Sequence, residues 1–95
     1  MSKKQIVHEV KSWTHLFQSA KAGFKKHDFR NRLERDYNVG DHLLLQEYDF
    51  VLGEYTGDEL LMKITYITDN RTPCALSSNA LDRDTCVLSI EKVKL

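Results

Sequence analysis

The sequence predicts an α+β domain, mainly β: a small, partly open β-barrel of about five strands with one N-terminal helix. Two observations predict the elements. Apolar residues alternate with period two in segments 6–11, 42–48, 58–68 and 86–93, and a fifth segment, 23–31, alternates charge as densely. Segment 12–22 instead places Trp13, Leu16, Phe17 and Ala20 at spacings of three and four. Size sets the scale: 95 residues read as one domain, 1–95, near the low end of the ~50–250 range. No repeat, linker or low-complexity stretch interrupts it.

The first strand, 6–11, puts Ile6, His8 and Val10 on one side and Val7, Glu9 and Lys11 on the other. His8 reads either as a ligand-binding group or as a hydrogen-bonded structural residue. The helix, 12–22, takes its N-terminal cap from Ser12 or Thr14. Its stripe puts Trp13 and Phe17 in the core. Gly23 supplies the left-handed residue after its C-terminus, and Lys21 complements the helix dipole.

The next strand, 23–31, carries Gly-Phe-Lys-Lys-His-Asp-Phe-Arg. Ideal alternation groups Lys26, Asp28 and Arg30 on one face and Lys25, His27 and Phe29 on the other. So dense a charge pattern needs water or an anionic ligand. Segment 32–38 is a polar loop holding Arg32, Arg35 and Tyr37, a composition suited either to phosphates and a base or to plain solvation. Val39-Gly40-Asp41 is a turn.

In strand 42–48, Leu43 and Leu45 share the inner face. Segment 50–57 bends at Gly53 and Gly57. Strand 58–68 aligns Leu60, Met62, Ile64 and Tyr66. Segment 69–84 is irregular, with a turn at 70–73 and one helical turn at 75–81. Strand 86–93 closes the sheet with Leu88 and Ile90 inward.

Charge is neutral in total but unevenly placed. Residues 1–35 hold nine basic and three acidic residues, net +6; residues 36–95 hold five and eleven, net −6. This reads either as an electropositive face opposite an acidic one or as charge that folding intermixes. Cys74 and Cys86 lack the paired spacing of a zinc site, so no metal is expected and both read as free thiols. No signal peptide and no span of ~20 apolar residues is visible, which points to the cytoplasm and away from membranes. No phosphate-cradling loop, nucleophile elbow or other catalytic motif stands out, and no cofactor is implied.

Gly23-x-Lys25-x-x-Asp28-x-Arg30 resembles the Gly-x-Lys-x-x-Glu-x-Arg signature of ASCH domains, small β-barrels related to the PUA fold. Asp28 stands where the signature has Glu. His8-Glu9-Val10-Lys11-Ser12-Trp13 resembles the His-x-x-Lys-x-Trp opening of a bacterial and phage subfamily of unknown function, DUF3850. Val39-Gly40-Asp41, Tyr55-Thr56-Gly57 and Thr65-Tyr66-Ile67 resemble further blocks of that subfamily. The loop at 32–38 departs from its pattern in length and order.

PUA-like barrels commonly read RNA through a cleft, so the resemblance implies a module for single-stranded RNA or a nucleotide. Lys25 or Lys26, with Arg30, supplies positive charge; Asp28 orients the arginine or accepts from a base. Arg32, Arg35 and Tyr37 are loop candidates, with Tyr37, Phe29 or Tyr48 as stacking faces. His8 and Lys11 join the set from their place in the opening motif. One ASCH enzyme removes the acetyl group from acetylated cytidine, using a lysine and a threonine of this strand. Lys25 matches the lysine, but Asp28 holds the threonine position, which removes the hydroxyl. A third reading is a module that binds a host protein.

Overall fold

The computed structural model describes residues 6–71 and 84–93. The elements run β1 (Val7–Trp13), α1 (Thr14–Lys21), β2 (His27–Asn31), β3 (His42–Asp49), β4 (Glu54–Thr68) and β5 (Thr85–Lys92). The five strands form one curled sheet, a half-barrel, in the order β1-β3-β4-β5-β2. β1 pairs with β3 in parallel; the other ladders are antiparallel. The chain that leaves β1 carries α1 and then β2, which joins the far edge beside β5. β1 and β2 are therefore both edges, and the barrel is open between them.

The apolar alternation builds the core. Val10 of β1, Leu43 and Leu45 of β3, Met62 and Ile64 of β4, and Cys86, Leu88 and Ile90 of β5 point to one side of the sheet. Phe17 and Ala20 of α1 close that side. At ~1.5–3 kcal/mol for each fully buried large apolar side chain, this cluster is the main source of stability. Cys86 is a free, buried thiol; of the expected turn at 70–73 only residues 70 and 71 are described, as turn, and Cys74 and the expected helical turn at 75–81 lie outside the described residues.

The helix end follows expectation in detail. Gly23 takes φ +92°, its amide donates to the Ala20 carbonyl at 3.1 Å, and the Phe24 amide donates to the Ser19 carbonyl at 3.0 Å. This paired pattern is a Schellman motif, which satisfies carbonyls the helix leaves orphaned. The helix start differs from expectation. Trp13 occupies the cap position with no side-chain cap bond, and Thr14 Oγ1 instead donates to the Tyr48 carbonyl.

Two core expectations are corrected. Trp13 is 49% exposed because it ends β1 on the outward parity shared by Val7, Glu9 and Lys11. Tyr66 is 57% exposed because the β4–β5 register shifts between Ile64 and Tyr66. That bulge inverts the parity, so Ile67 packs on the core in place of Tyr66.

Folding partly intermixes the uneven charge. Lys21 pairs with Asp58 at 2.8 Å and Arg32 with Asp69 at 3.5 Å, each joining the basic half to the acidic half. Among the described residues, Lys11, Lys26 and Arg35 have no acidic partner within 4.0 Å.

Candidate functional site: a cleft at the open seam

The seam between β1 and β2 holds a cleft of about 410 Å³, within the ~300–1,000 Å³ range of small-molecule sites. β1 contributes Lys11, Ser12 and Trp13; α1 contributes Leu16; the stretch entering β2 and β2 itself contribute Lys25, His27, Asp28, Phe29 and Arg30.

Asp28 is the centre of the floor. It lies on the inward parity of β2 and is only 7% exposed. A carboxylate so placed needs partners. Lys25 Nζ donates to Oδ1 at 3.0 Å and Arg30 Nε donates to Oδ2 at 2.7 Å. The Lys25 ammonium also donates to the His27 carbonyl, and Arg30 Nη2 donates to the Lys11 carbonyl at 2.8 Å. Arg30 thus spans from one barrel edge to the other.

The expected conflict over Lys25 and Lys26 resolves without a bulge. β2 starts only at His27, so strand parity does not govern the two lysines. The Schellman turn lets Lys25 fold back onto Asp28. Lys26 does not line the cleft; it lines a second depression with Lys92 and Glu91, which Lys25 also borders.

The remaining candidates scatter. Arg32 lies near Asp69 and Asp36 beneath a different depression shared with Tyr37 and Arg71. Arg35 is exposed and lies behind Arg30 in a depression beside the cleft. Tyr37 cannot offer a stacking face: its side chain is fully buried, its ring lies 4.8 Å from that of His8, and its hydroxyl has no hydrogen-bond partner among the described residues. Burial raises the Tyr37 phenol above the ordinary range. His8 likewise faces inward. Its Nε2 bonds Asp41 Oδ2 at 2.8 Å, and the same oxygen accepts from the Asn38 amide, so the pair braces the turn before β3.

The sequence reading missed Trp13 as a site residue by assigning it to the core. Its half-exposed indole lines the cleft, as does Phe29, 64% exposed and in ring contact with His27. The signal was present: the parity of His8 and Val10, extended two residues, points Trp13 outward.

Donor counting defines the chemistry. Lys25 has three N–H donors and spends two on the protein. Among the described residues, Arg30 Nη1 has no hydrogen-bond partner. Three cations, Lys11, Lys25 and Arg30, and one carboxylate, Asp28, line the cleft, so it is net positive. Among the described residues no group of three or more His, Cys, Asp or Glu side chains is placed to hold a metal.

Fold and cleft together define a small half-barrel domain with a net-positive cleft that two exposed aromatic side chains also line. The family model described as "Domain of unknown function (DUF3850)" matches residues 7–90, and the chain belongs to that family. No curated protein matches it. No helix among the described residues is long and apolar enough to cross a membrane.

Proposed function

We propose that this DUF3850 domain is an ASCH/PUA-like cytoplasmic module that binds a nucleotide unit of single-stranded RNA in the seam cleft, without catalysis. One observation carries the reading: two cations with unspent donors, Lys25 and Arg30, line the same cleft as the exposed aromatic side chains of Trp13 and Phe29. Aromatic faces stack bases of any sequence, and a guanidinium matches phosphate oxygens. Asp28 orients the cations. Both its oxygens are already engaged, which favours a positioning role over acid–base work and supports binding over hydrolysis of acetylated cytidine.

Trp13 is the only tryptophan, so its fluorescence reports on the cleft directly. Short single-stranded RNA should change that emission. Each phosphate contact should contribute about −0.7 to the slope of log affinity against log salt. Emission and calorimetry that stay flat against both nucleotides and RNA would remove the reading. A host-protein partner is the second reading. Phe50, Val51 and Leu52 are all exposed at the β3–β4 turn, and Phe50 contacts Trp13, so a lysate pull-down lost on Phe50→Ser would favour it.

A further inference from the structure

The seam cleft has a neighbour. A second depression of about 450 Å³ lies on the outer surface of β1, β3 and β4, and Arg35 and Tyr55 line it. Lys11, Trp13 and Arg30 line both hollows. These three side chains are thus a ridge with a ligand-sized hollow on each side.

The two hollows differ in chemistry. The ridge carries the cations Lys11 and Arg30. The second hollow adds Arg35 but also Glu9 and Glu34, so its charge is nearly balanced. Tyr55 is 53% exposed and held edge-on by Tyr48 at 5.1 Å. The Lys11 ammonium lies 4.1 Å from the Tyr48 ring centroid, which fixes it at the crest. A phosphate fits the ridge best, at Lys11, which has no acidic partner among the described residues, beside the spare Nη1 donors of Arg30. A base fits the second hollow, with Tyr55 as a stacking face and carboxylates able to accept from an exocyclic amino group.

We infer that the second hollow is a second nucleotide subsite, so the site takes a dinucleotide step. One base enters the seam cleft against Trp13, the linking phosphate crosses at Lys11 and Arg30, and the next base stacks on Tyr55. The inference rests on the nucleotide-binding reading above, and it assigns Tyr55 and Arg35 to ligand recognition.

Calorimetric titration with AMP, pApA and pApApA tests it. The expected result is about tenfold tighter binding of pApA than AMP, the size of one added base stack, with little further gain for pApApA. Tyr55→Ala should bring the pApA-to-AMP affinity ratio close to one, whereas Trp13→Ala should lower both affinities. Arg35→Ala offers a second variant should Tyr55→Ala fold poorly, and should reduce the same ratio. Equal affinity of the wild type for AMP and pApA would overturn the second subsite and leave the nucleotide reading standing. No binding of any of the three would overturn both.

Discussion

Arg30 on β2 and Lys11 on β1 belong to strands that share no ladder, yet the Arg30 guanidinium donates to the Lys11 carbonyl at 2.8 Å. The same guanidinium holds Asp28. One side chain therefore clasps the open seam, neutralises a buried carboxylate and lines the candidate site. Stability and ligand binding are coupled there.

Arg30→Ala should cost about 3 kcal/mol in urea unfolding, because Asp28 is left buried with Lys25 alone and the seam loses its clasp. Arg30→Lys should recover only part of this, since an ammonium has no fork to reach the carboxylate and the Lys11 carbonyl together. Full stability in Arg30→Ala would show that the ion pair contributes nothing.

Trp13→Ala should destabilise by about 2 kcal/mol, because the half-exposed indole buries only about half of its surface. Phe17→Ala, at a fully buried position in the neighbouring helix, should cost about 3–5 kcal/mol. Reversal of that order in chemical denaturation would place the indole in the core.

Tyr37→Phe removes a hydroxyl that is buried with no hydrogen-bond partner among the described residues. Leaving such a group unsatisfied costs about 1–3 kcal/mol, so the variant should be more stable by about 1 kcal/mol. A loss of stability would reveal a partner for the hydroxyl, a buried water among them.

Stability should fall on the alkaline side. Burial raises both the Cys86 thiol and the Tyr37 phenol, favouring their neutral forms in the folded chain. The unfolded chain then loses these protons first. Their contribution is complete below the unfolded-state values and declines as pH rises above about 8.5 for the thiol and about 10 for the phenol. Cys86→Ala should flatten the first part of that decline in unfolding measured from pH 7 to 11.

Lys25→Ala should weaken short-RNA binding and make its salt slope shallower by about 0.7, whereas Lys26→Ala should do neither. Lys25 lines the seam cleft; Lys26 faces a different hollow. Equal losses in the two variants would point to diffuse attraction and away from a defined site.

The sequence by itself determined the element order, the inward faces of β1, β3 and β5, and the glycine stop after α1. These depend on local periodicity and on one residue's backbone freedom, both of which neighbours in the chain report. The resemblance to the ASCH signature grouped Lys25 with Asp28 and Arg30, whereas strand periodicity grouped Lys26 with them. Tertiary structure decided the rest. The β4–β5 bulge that turns Tyr66 outward depends on a partner strand about twenty residues away. Tyr37 is core because its ring packs beside His8 of β1, about thirty residues away in the chain, which no local pattern encodes. Lys25 joins Arg30 because β2 begins later than its alternation suggests, so parity did not apply. The seam itself exists only once β1 and β2 have gone to opposite ends of one curled sheet. A side chain spanning that gap is a long-range contact, and sequence spacing carries no measure of it.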